Sequence, residues 1–88
     1  MTVQFVMDMT WMCPVTKLYR ADDGQHYAIS CLDFFTATGT EVFLSDENGV
    51  PIDADGDPTN GLTPLVRWDE QMDHGTAVAR LTDWLAAQ

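Results

Sequence analysis

The sequence predicts a small α+β fold: a short antiparallel sheet, made of two β-hairpins and an N-terminal strand, packed by one C-terminal amphipathic helix. Three patterns carry this expectation. Apolar residues alternate with polar ones near the start. Asp23-Gly24 and Asn48-Gly49 each sit between runs of strand-forming residues. Near the end, Ala77, Val78, Leu81, Trp84 and Leu85 recur at spacings of three and four. With 88 residues, of which 45% are hydrophobic and 20% charged, the chain is expected to fold as one domain over residues 1–88.

Val3, Phe5, Met7, Met9 and Trp11 form a period-two row and predict a first strand with that row on a buried face. Pro14 lacks a backbone donor, so residues 11–14 read as a corner. Residues 16–21 and 26–32 flank Asp22-Asp23-Gly24-Gln25 and read as a hairpin. If Asp23 and Gly24 form a two-residue type I′ turn, Arg20 faces Tyr27, Leu18 faces Ile29 and Thr16 faces Cys31. Residues 40–45 and 50–53, joined through Asn48-Gly49, predict a second hairpin whose return strand Pro51 keeps short and at an edge. The run at 53–64 is rich in turn formers and reads as a solvated loop. Residues 65–68 predict one more short strand. The helix follows, capped by Asp73 or Thr76.

Ordering a chain of this length costs roughly 1.5 kcal/mol per residue, so most large apolar side chains must be buried. The expected core is Phe5, Leu18, Tyr27, Ile29, one of Phe34 or Phe35, Val42, Leu44, Val66, Trp68, Leu81 and Trp84. So small a core is expected to leave no substrate cleft of the roughly 300 Å³ or more that ligand sites occupy.

Four basic against fourteen acidic residues leave a net charge of −10. Phosphate backbones and anionic lipid surfaces are repelled by such a chain, so no direct nucleic-acid or membrane partner is expected. No stretch approaches the roughly 18 apolar residues of a membrane span, and the opening residues lack the basic region of a secretory leader. A cytoplasmic protein with Cys13 and Cys31 as reduced thiols is the expectation.

The acids are clustered. Asp46, Glu47, Asp53, Asp55 and Asp57 fall within twelve residues that hold no Lys or Arg, and Asp69 and Glu70 begin a second group with Asp73. Such a patch keeps a protein soluble, and it can also steer a basic protein surface or imitate phosphates on a nucleic-acid-binding one. Trp11 and Phe35, awkward to bury beside Pro14 and Asp33, are the expected exposed apolar contributors to partner binding.

Metal and catalytic motifs are weak. Counted from Asp53, an EF-hand would need Gly at its sixth position and Glu at its twelfth, where this chain has Pro58 and Pro64, so the run reads as an acidic turn rather than a calcium loop. Cys13, Cys31, His26 and His74 lack paired zinc-ligand spacing, and no phosphate-binding glycine loop or nucleophile elbow is present. No cofactor, no metal and no enzymatic activity are expected.

The segments KLYRADDGQHYAIS and GTEVFLSDENGVPID, followed by HGTAVARLTDWLA, resemble small uncharacterised acidic proteins encoded by actinobacterial phages. The resemblance carries no catalytic motif. It implies a product found in the host cytosol that binds a host or phage protein, or an accessory component of the virion, capsid or tail, that self-associates through apolar contacts.

Overall fold

The computed structural model of the chain describes residues 2–9, 15–34, 37–60 and 63–88. Five strands, β1 Val3–Met9, β2 Thr16–Ala21, β3 His26–Phe34, β4 Ala37–Ser45 and β5 Val66–Trp68, precede helix α1, His74–Ala86. They form one antiparallel sheet in sequence order. This is the α+β architecture that the turn and periodicity signals predict.

Helix α1 starts where expected: the Asp73 side chain accepts the Thr76 backbone N–H at 2.7 Å. That bond satisfies one of the amides that the first helical turn leaves without a partner. Its inward stripe, with Ala77 and Leu81 fully buried, lies on one face of the sheet against Tyr19, Ala21, Tyr27, Ile29 and Val42. Cys31, Leu44, Val66, Trp68 and Trp84 pack around this core.

A smaller cluster, Met9, Leu18 and Ala28 with Met7 and Phe43, occupies the opposite face. The expected hairpin register is therefore corrected. Leu18 pairs with Ala28 and Tyr19 with Tyr27, so Leu18 and Ile29 lie on opposite faces rather than in one row.

The turn chemistry explains the one-residue difference. Gly24 N–H donates to the Ala21 carbonyl and Ala21 N–H to the Gln25 carbonyl, both at 2.9 Å. Positive φ occurs at Gly24 (+89°), and among the described residues no non-glycine residue has it. A type I′ turn needs positive φ at both central positions. One glycine at the end is instead the signature of a type I turn closed by a bulge, which makes a three-residue loop. The same construction recurs at Asp46-Glu47-Asn48-Gly49-Val50, with bonds of 3.0 and 3.1 Å and φ +88° at Gly49.

The first strand also departs from its pattern. The β1–β2 register shifts between Phe5 and Met7, so Val6 is an extra residue and the apolar row splits at it. Val3 and Phe5 pair with Ala21 and Tyr19, on the helix side, whereas Met7 and Met9 pair with Leu18 and Thr16, on the far side. Phe5 is consequently not in the core: it is 54% exposed, laid edge-on to Tyr19 with ring centroids 5.9 Å apart. The Lys17 ammonium, itself paired with Asp8, stands 5.5 Å from its ring centre.

The outer edge of β4 is shared by two segments. Val66–Trp68 pairs with residues 40–42. Farther along, Ser45 bridges to Pro51 and Ile52 N–H donates to the Leu44 carbonyl at 3.0 Å. The expected return strand at 50–53 is reduced to these bridges, because Pro51 has no N–H to give a longer ladder.

Candidate functional site

The acidic residues stand on tight turns. Asp46 Oδ1 accepts the amides of Asn48 and Val50 at 2.8 and 2.9 Å, and Asp53 Oδ1 accepts those of Asp55 and Asp57 at 2.9 and 3.0 Å. Each carboxylate thus closes the turn it begins. The 53–57 turn repeats the other two, with Asp53 N–H donating to Asp57 C=O and Gly56 N–H to Asp53 C=O. The expected solvated loop at 53–64 begins with this ordered turn, followed by a bridge from Ile52 to Pro58.

The 22–24 and 46–49 turns share one end of the sheet, where His26 pairs with both Arg20 and Ser45. Gln25 Nε2 ties them together by donating to the His26 and Ser45 carbonyls at 3.2 Å. Asp22 and Asp23, which the sequence marks only as turn formers, thus join the acidic end. Asp22 Oδ1 accepts the Thr2 amide at 2.7 Å and Asp23 Oδ1 the Gln25 amide at 2.9 Å.

Of the four cations, Arg20 stands at this end of the sheet, opposite His26, and forms no ion pair among the described residues, while the other three are elsewhere. Lys17 is paired with Asp8 at 2.7 Å, Arg67 with Glu41 and Asp69 at 3.0 Å, and Arg80 with Glu70 through a two-pronged bond of 3.0 and 3.2 Å. Two residues of the expected binding patch, Asp69 and Glu70, are therefore engaged within the molecule and set apart from the acidic turns. Among the described residues, none of Asp22, Asp23, Asp46, Glu47, Asp53, Asp55 and Asp57 forms an ion pair. Trp11 and Phe35, the apolar candidates, lie outside the described residues, as does Cys13.

Beside the 53–57 turn lies a groove of about 350 Å³. It opens where the β4 edge passes from β5 to the return segment. Phe43, Leu44, Pro51, Ile52 and Leu65 form its apolar walls, with Asp53, Thr59, Asn60 and Thr63 among its polar lining. The expectation that no such hollow would fit is corrected: Pro51 cuts short the pairing that would have filled the edge. Asp53 is the sole titratable side chain among the lining residues described.

A second set of titratable groups gathers where α1 begins. The Tyr19 ring stacks on that of His74 with centroids 6.3 Å apart, and its hydroxyl is 3.4 Å from His74 Nδ1. Burial, reinforced by Cys31 and Asp8, pushes Tyr19 up to about 12. The phenol therefore keeps its proton, and the hydroxyl can donate to Nδ1 or accept from it according to the imidazole tautomer. Nε2 is buried and has no partner of hydrogen-bonding geometry among the described residues.

Burial, with help from Lys17, lowers the His74 pKa against the opposing pull of the Val15 carbonyl and of Asp8 and Asp73. Burial likewise pushes the Cys31 thiol up, although a Thr40 hydrogen bond and Lys17 favour the thiolate and Asp73 opposes it. A thiol raised in this way is held as a poor nucleophile. His26 shares β3 with Cys31 but is the strand's first residue, at the Arg20 and Ser45 end of the sheet. Among the described residues no three His, Cys, Asp or Glu side chains are grouped to hold a metal ion, and no helix is long and apolar enough to cross a membrane.

No curated protein and no solved structure matches the chain. A family model does match, over residues 1–82, and through it the chain belongs to the Family of unknown function (DUF7572).

Proposed function

We propose that this domain is a non-enzymatic acidic interaction module that engages a basic surface of a protein partner and so competes with ligands of that surface, nucleic acid included. The observation that carries the reading is the separation of charge. Carboxylates without ion pairs occupy the projecting turns, while Lys17, Arg67 and Arg80 are bound to Asp8, Glu41, Asp69 and Glu70. Among the described residues Arg20 is the one cation at that end, set against the seven carboxylates of the three turns, and a field that stays negative raises the encounter rate with a positive partner. In the phage setting that the sequence resemblance implies, the partner is a host or phage protein met in the host cytosol.

The test is affinity capture followed by kinetics on the captured partner, with the variant D46N/E47Q/D53N/D55N/D57N as control. Asparagine keeps the oxygen that closes each turn, so the control removes charge and preserves shape. Association is expected to slow between about 10 mM and 150 mM salt, as the screening length contracts from about 30 to 8 Å, and to slow likewise in the variant. Rates indifferent to both would refute the reading.

A second reading, a structural component of a particle, is favoured by one feature. Strand β1 pairs on one side only within the sheet, and Phe5, Val6 and Val15 are exposed beside it. An unpaired apolar edge is a template for a further strand. Sedimentation as a monomer at high concentration, together with absence from purified particles, removes this reading.

A further inference from the structure

We infer that the groove between β4 and the described residues 51–60 and 63–65 is the anchor site of the partner, and that it takes one bulky apolar side chain from a segment flanked by Lys or Arg. The inference rests on the acidic-module reading and adds where, and by what chemistry, the partner is held.

Its shape comes from the chain. Ile52 and Leu65 each donate a backbone bond to β4, to Leu44 and Val42 respectively, and the two segments diverge beyond these points. Apolar side chains line the gap on both sides. Leu65 remains 40% exposed there, and at about 350 Å³ the hollow is near the lower limit of ligand sites. That is room for a side chain or two, not for a large substrate.

Charge selects the occupant. Asp53 lies in the wall, and Asp55 and Asp57 project from the same turn, all three exposed. No Lys, Arg or His is among the lining residues described. An acidic segment would meet repulsion, and a neutral one would gain only the apolar contact. A basic segment with an aromatic or large aliphatic residue at its centre satisfies both features: the anchor enters the hollow and the flanking cations meet the three carboxylates. An apolar anchor surrounded by a polar rim is the usual energetic centre of a protein interface.

The experiment uses three amidated octapeptides as probes in amide NMR titrations of the isotope-labelled protein: KRKLWKRK, the anchor-free KRKGSKRK and the charge-reversed EDELWEDE. Expected is saturable binding of the first at least tenfold tighter than either of the others, with shifts centred on the amides of Leu44, Ile52 and Leu65. Leu65→Ser, at a half-open position, is expected to weaken that peptide tenfold or more. Unchanged shifts elsewhere in its spectrum verify that the variant folds. Equal affinity of the two basic peptides, or shifts confined to the 22–24 and 46–49 turns, overturns the groove assignment and leaves the acidic-module reading standing. Absence of salt-sensitive binding by either basic peptide overturns both.

Discussion

Gly24 and Gly49 occupy identical turn positions, yet the two sites differ in what surrounds them. A Cβ at Gly24 would meet nothing within 4 Å, whereas at Gly49 it would come 2.7 Å from the Met9 Cε. Gly24→Ala is therefore expected to cost only the strain of a positive φ, about 1 kcal/mol. Gly49→Ala adds the displacement of Met9 from the far-face cluster and should cost measurably more in urea unfolding. Equal losses would show that the turn does not press on Met9.

His74 supplies a pH dependence whose sign follows from its burial. Its pKa in the folded chain lies below the ordinary 6.5, so below that pH the unfolded chain takes up a proton more readily than the folded one. Its contribution to stability is complete above pH 6.5 and is lost as pH falls below it. Asp73 acts in the same direction at lower pH. The backbone amide of Thr76 holds its carboxyl below 3.8, and the cap is lost as pH falls through that range. Between pH 7.5 and 5 the midpoint of thermal unfolding of the wild type should fall relative to that of His74→Phe as pH falls, because only the wild type carries this proton uptake. A constant difference would contradict the burial of the ring.

Among the elements, helix and bulge make opposite demands on the sequence. Leu81, fully buried between α1 and the sheet, should lose about 2–5 kcal/mol on truncation to alanine. Phe5→Ala, at a half-exposed ring, should cost about 1 kcal/mol, the scale of an aromatic pair. Deleting Val6 removes the extra residue and leaves an unbroken ladder in which Met7 still faces Leu18 and Met9 still faces Thr16. Retention of the near-ultraviolet circular dichroism of the native fold is the expected result, and its loss would show that the bulge itself is required.

The helix was legible because its 3.6 periodicity survives in any surroundings, and Asp73 was legible as one of two candidate caps, the other being Thr76. The bulge was not. Val3, Phe5, Met7 and Met9 alternate without a break, and a shift between them depends on what β2 offers opposite. The turn loops were legible in position but not in type, since Asp-Gly and Asn-Gly suit both a two-residue and a three-residue connection. That ambiguity alone moved Leu18 away from Ile29.

Across the molecule, charge was readable from composition, whereas its pairing was not. Asp69 and Glu70 look equivalent to Asp55 and Asp57 until the fold brings Arg67 and Arg80 beside them. Asp22 and Asp23 join the acidic end only because two hairpins terminate together under Gln25. The groove had no sequence signal beyond Pro51, which marks where a strand must stop without showing what opens beside it. The fold presents three acid-bearing turns, an apolar hollow beside the 53–57 turn, and three of its four cations held in internal pairs.

The most direct test is the association rate with the captured partner, measured against salt for the wild type and the five-site neutralised variant. The wild-type rate should fall about tenfold or more between 10 and 150 mM salt, within the range of electrostatic steering, with a slope largely abolished in the variant. Matching slopes for the two proteins would contradict the account.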